Sequence, residues 1–224
     1  MYLFLITAVP IGLLYVITDL AAKGTRSASW RAAIKGAFIG ALAFFLASAL
    51  SDLLIPRYES ATVIFYLWLK YLLVPIAPIA GGFFLFYRYK DGMEGKDPPW
   101  TAICYHSGAF SMVAFFTFFQ YQGAPTLFMT MLYPLLLVAA SILIPACFEF
   151  GQRAGGTKGV LWPLAIIPAS FFLALVPWLE TAKLAFWSIL PTIGACVLAV
   201  FVVLGKARRP SAEKRPLISL ESQI

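Results

Sequence analysis

Residues 61–90 read ATVIFYLWLKYLLVPIAPIAGGFFLFYRYK. From Ala61 to Tyr87 the run is apolar and more than long enough to cross a bilayer as a helix. It also carries features that a quiet span avoids. Lys70 sits roughly 13 Å along the helix axis at about 1.5 Å per residue. Pro75 and Pro78 fall within one turn, and each removes a backbone donor. The pair Gly81-Gly82 follows. A bent helix beside an intramembrane cation marks a candidate functional region, because irregular backbone and charge at membrane depth need protein or water around them.

The rest of the chain agrees with this reading. Of its 224 residues, 61% are hydrophobic and 12% are charged, which lies outside the range of soluble domains. The apolar runs are long and continuous, which points to helices rather than a barrel of short alternating strands. The sequence therefore predicts an all-α, polytopic integral membrane protein with seven transmembrane helices. These cover about 2–20, 36–55, 61–87, 101–121, 126–148, 160–178 and 183–204. Met1 to Leu5 lack a basic start, so the first run reads as a span and not as a leader. Residues 1–204 form the transmembrane domain, and residues 205–224 form a basic, flexible cytoplasmic tail.

Charge sets the orientation. The loops after spans 1, 3 and 5 and the C-terminal tail hold 14 of the 17 lysines and arginines. Arg57 and Lys183 lie on the opposite face, and Lys70 lies within the membrane. The positive-inside rule then puts the N-terminus outside and the C-terminus inside, with the plasma (inner) membrane as the expected location. The net charge of +7 is divided among short loops, so it is no nucleic-acid footprint.

Span 2 reads as a packing helix. Gly36 and Gly40 form Gly-x-x-x-Gly, and Ala43 and Ala47 extend the small-residue spacing. Small residues at such intervals let helix backbones approach closely. The face of Gly36, Gly40 and Ala47 packs either within the chain or against a partner membrane protein. Spans 2 and 4 carry no proline and read as straight scaffold, whereas the other spans are bent.

Spans 1, 2 and 3 recur as spans 5, 6 and 7 at similar spacing, with Pro10 matched by Pro134 at an offset of 124. That spacing suggests a three-plus-one-plus-three parallel repeat. In architecture it resembles the seven-helix sugar transporters of the SWEET type. The resemblance ends there. The chain has no Asn for their intramembrane asparagines, no Pro-Gln motif, and no proline in span 2.

Candidate ligand-binding residues are Lys70, Asp52, Pro75, Pro78, Gly81, Gly82 and His106. Lys70 anchors an anion or balances Asp52 near the outer end of span 2. The prolines and glycines either expose carbonyls to a ligand or make a fixed kink. His106, the only histidine, relays a proton, holds a headgroup, or serves as a hydrogen-bonded structural residue. Cys104, Cys147 and Cys196 have no metal or redox spacing and are expected as free thiols. No cofactor, metal site or catalytic residue is expected. The stretch 155–159 is glycine-rich, but Thr157 separates Gly156 from Lys158, so it fails the phosphate-loop pattern. The charged loop 88–99 is a connector or a docking site for a cytoplasmic partner.

Three classes of function follow. The first is a small transporter or membrane-embedded substrate-binding component for an anionic or amphipathic small molecule. The second is a non-catalytic integral subunit of a larger membrane complex. The third, a membrane enzyme acting on lipid, would rest on His106 with Glu149. The balance points away from an enzyme.

Overall fold

The structure, a computed structural model, describes residues 26–54, 64–69, 74–88, 98–120, 128–154, 164 and 166–207. Every regular element among the described residues is helical, so the chain is all-α there. In order these are α1 (Arg26–Leu54), α2 (Ile64–Trp68), α3 (Val74–Arg88) and α4 (Pro98–Gln120). A π-helical turn (Phe128–Leu132) then runs into α5 (Tyr133–Ala154), followed by α6 (Ile166–Leu173), α7 (Leu175–Thr181) and α8 (Ala185–Ala207). Among the described residues two helical segments are long and apolar enough to cross a membrane, Thr130–Phe150 and Phe186–Gly205. The first expected span (2–20) and residues 208–224 of the tail lie outside the described residues.

Prolines explain the irregular places. Pro98 and Pro99 open α4, where a missing donor costs nothing because first-turn donors have no intrahelical acceptor. Pro134 cannot donate to the carbonyl of Thr130, and the chain takes its wider π turn immediately before it. Pro177 cannot donate to Leu173, and the sixth expected span divides there into α6 and α7. At that joint the Ala174 N–H is shared between the carbonyls of Ser170, at 3.1 Å, and Phe171, at 3.0 Å.

α1 starts at Arg26, ten residues before the expected start of its span at 36. No helix breaker stands between Arg26 and Gly36, so the helix continues past the apolar segment, with Arg31 and Lys35 exposed.

Among the described elements, α1 and α4 pack most extensively. A Cβ added at Gly36 would collide with the carbonyl oxygen of Tyr105, and one at Gly40 with that of Ala109. A Cβ at Gly108 would collide with the carbonyl oxygen of Ala33. Further along, Phe116 stacks on Phe44 at 5.4 Å and meets Phe45 at 5.1 Å between ring centroids. Residue numbers rise together along both helices, from 36 with 105 to 45 with 116, so α1 and α4 run parallel. The two expected straight spans are therefore direct neighbours at backbone contact.

α4 is the hub. Residues 102–110 are buried without interruption, so that stretch is covered all round its circumference. α3 packs on α1 and, less extensively, on α4. α5 packs on α4 and α8, with Ser107 Oγ donating to Ser141 Oγ at 3.1 Å across the α4–α5 contact. α2 is held by α6, where Trp68 Nε1 donates to Ser170 Oγ at 2.9 Å and the indole meets Phe171 edge-on.

The helix faces are inverted relative to a water-soluble fold. α1 buries Ala33, Gly36, Gly40 and Ala43 and exposes Ile34, Phe38, Leu42, Phe45 and Leu46. α8 buries Ser188, Thr192, Ala195 and Ala199 and exposes Phe186, Leu190, Ile193, Val200 and Phe201. On these two helices the protein-facing side is mostly small and hydroxylated, with Phe44 the large exception, and most of the large apolar side chains face out.

Candidate functional site

Of the candidate ligand-binding residues, Lys70 lies outside the described residues, and so does the side chain of Asp52, which sits in the last turn of α1. Their pairing is left as an expectation. The others fall on α3 and α4. α3 is helical throughout Val74–Arg88 and contains Pro75, Pro78, Gly81 and Gly82, so the backbone is wound at all four. Pro75 is buried and Pro78 half-buried.

The two glycines part ways. Gly81 is exposed, and a Cβ there would meet nothing within 4 Å. A Cβ at Gly82 would stand 2.7 Å from the Tyr105 hydroxyl oxygen and 2.9 Å from Ile39 Cγ2. Gly82 is thus a packing residue that gives Tyr105 its room. Tyr105 itself is the residue that the sequence did not single out. Its carbonyl meets Gly36, its hydroxyl donates to the Ile79 carbonyl at 3.3 Å, and its ring tilts against Phe83 at 5.4 Å. It joins α1, α3 and α4 at one point. A tyrosine beside a histidine on an apolar helix carries no sequence signal for that role.

His106 lies beside this junction and is fully buried. Its ring sits 5.2 Å from Phe83, 5.3 Å from Tyr105 and 6.4 Å from Phe110. Nδ1 lies 2.8 Å from the Ala102 carbonyl oxygen, one turn back on α4. A carbonyl oxygen only accepts, so Nδ1 carries the proton; full burial against the rings of Phe83, Tyr105 and Phe110 disfavours an imidazolium, which makes the ring the neutral Nδ1–H tautomer. Nε2 is then a bare acceptor, and it has no hydrogen-bond partner among the described residues. A buried acceptor left in that state costs about 1–3 kcal/mol.

The histidine is therefore half structural and half unexplained. Its orienting bond comes from a backbone carbonyl, and Nε2 makes no hydrogen bond to Glu149. Among the described residues no group of three metal-ligating side chains occurs. None of Cys104, Cys147 and Cys196 is in a disulfide.

The partner face behaves differently from the ligand residues. Gly36 and Gly40 are taken up by α4 of the same chain, while the side chain of Ala47 lies outside the described residues. Residues 89–97 of the charged loop also lie outside them. Comparison with family models, curated proteins and solved structures returned no match for this chain.

Proposed function

We propose that this chain is a seven-span integral membrane protein, N-terminus outside and C-terminus inside, that acts as a small transporter or membrane-embedded binding component. Its cargo is an anionic or amphipathic small molecule. The inverted faces of α1 and α8 carry the membrane part of this reading. Exposed Phe38 and Phe186, each more than 70% accessible, suit acyl chains and not water. The parallel sense of α1 and α4 supports the topology, because spans 2 and 4 of an alternating bundle run the same way. The buried Nε2 of His106, without a hydrogen-bond partner among the described residues, supports the binding part.

A second reading, a subunit of a larger membrane complex, draws on α8. In the Phe186–Gly205 segment only Ser188, Thr192, Ala195 and Ala199 are buried, which leaves a broad apolar face for another protein.

One experiment separates the two. The chain is extracted with its native lipid in polymer nanodiscs, and bound proteins and small molecules are identified by mass spectrometry. A retained small molecule that is lost in Lys70→Met or His106→Phe supports the binding component. A stoichiometric partner protein with no small molecule supports the subunit and ends the transport reading.

A further inference from the structure

We infer that His106 Nε2 is the anchor of a buried site for a membrane-soluble alcohol, a molecule with one hydroxyl and an apolar body. This deepens the binding reading above and rests on it. The atom is an acceptor, because in the neutral ring the one N–H is on Nδ1 and donates to the Ala102 carbonyl. It calls for a donor, which excludes a carboxylate or phosphate at this position.

Among the described residues, the hydroxyls flanking His106 on α4 and facing it from α5 are committed elsewhere. Tyr105 donates to Ile79, Ser107 to Ser141, and Ser141 and Ser111 to backbone carbonyls on their own helices. The rings of Phe83 and Phe110 have no donor to offer. A metal ion would find one neutral nitrogen and no three-residue ligand group among the described residues.

Water and an alcohol remain, and they differ in what they demand. A buried water needs about two to four polar partners. Aromatic walls and a single lone pair leave it short. An alcohol donates its one proton to Nε2 and lays its chain against Phe83 and Phe110. The site is closed in this structure, so entry requires one wall to yield. α3 is the wall with the smaller contact to α4, and its Pro78 withholds a backbone donor from Val74.

Because His106 is the only histidine, isotopic labelling of histidine makes nitrogen NMR a single-residue measurement on the full chain in phosphatidylcholine nanodiscs. The probes are dodecanol, dodecyl methyl ether and dodecane. The ether accepts hydrogen bonds but donates none. The expected result is an unprotonated Nε2 resonance that moves to its hydrogen-bonded position, saturably, with dodecanol alone. Three results overturn the site: a resonance that is hydrogen-bonded at the outset and stays put, one that dodecanol leaves unchanged, or one that the ether shifts equally. Dodecanol exchange in proteoliposomes is read separately. A shift without exchange keeps the site and removes transport, whereas exchange without a shift removes the site.

Discussion

Glycine is used in opposite ways at the two sides of this molecule. On the α1–α4 side, Gly36, Gly40 and Gly108 each face a carbonyl of the other helix, with no room for one more carbon. On α8, Gly194 and Gly205 face open space, and a Cβ at either would touch nothing within 4 Å. The same residue type marks a seam in one helix and a bare surface in the other. Composition alone therefore locates neither. What distinguishes the α1 glycines is their setting: Ala32, Ala33 and Ala43 around them are buried, while Ile34, Phe38, Leu42, Phe45 and Leu46 of the same helix are exposed.

The largest expected effect is at the seam. Gly36→Leu or Gly108→Leu must push the α1 and α4 backbones apart and is expected to destabilise by about 3 kcal/mol or more, at the upper end of overpacking costs. Thermal unfolding in detergent reads it. A variant that unfolds like the parent would mean that the two helices do not touch there.

Gly82→Ala comes next. Its methyl would strike the Tyr105 hydroxyl and strain the bond to Ile79, for an expected loss of about 1–2 kcal/mol. Gly81→Ala, one residue away in open space, is the matched control and is expected to be neutral or slightly stabilising. Equal losses at both would remove Tyr105 as the junction of three helices.

Lys183 reverses the comparison, because it is a place where glycine is wanted and absent. Its φ is 60°, in the left-handed region. The Leu184 N–H reaches the Leu179 carbonyl at 2.8 Å, and the Lys183 N–H reaches that of Glu180 at 3.0 Å. This is a Schellman ending to α7, with lysine at the position that glycine usually fills. Lys183→Gly is expected to stabilise by about 1 kcal/mol, measured by the same unfolding assay. A loss of stability would show that the lysine side chain holds the α7–α8 corner.

The smallest effect belongs to α8. Gly194→Leu is expected to change stability by no more than about 0.5 kcal/mol, since it adds a side chain to an outward face. A loss of several times that size would identify Gly194 as part of an interface with another protein and favour the subunit reading.

These contrasts show where the sequence was readable. Gly36-x-x-x-Gly40 announced a close approach because its period matches the helix. Its counterpart did not, since Gly108 has Cys104 and Met112 at the four-residue positions and so forms no glycine repeat of its own. Proline positions foretold irregular backbone, yet the effect differed at each. Pro177 divides a helix, Pro134 follows a π turn, and Pro78 sits inside a wound α3. A missing N–H is fixed by sequence, but how the freed carbonyl is accommodated depends on its neighbours. His106 was visible as the lone histidine. Its bare Nε2 was not, because that depends on which hydroxyls across three helices are already committed. The expected partnership of Lys70 and Asp52 falls outside the described side chains.

The parallel seam is the claim on which the bundle depends, and cross-linking tests it most directly. In a variant lacking Cys104, Cys147 and Cys196, cysteines are placed at Phe45 and Phe116, whose rings lie 5.1 Å apart. A protease site is inserted within residues 89–97, between α3 and α4. After treatment with a short bifunctional maleimide and cleavage, Phe45→Cys/Phe116→Cys should hold the two fragments together. Phe45→Cys/Trp100→Cys, with the second cysteine at the opposite end of α4, should let them separate. If only the Trp100 pair holds, α1 and α4 run antiparallel, and the seam, the junction at Tyr105 and the topology built on them fall together.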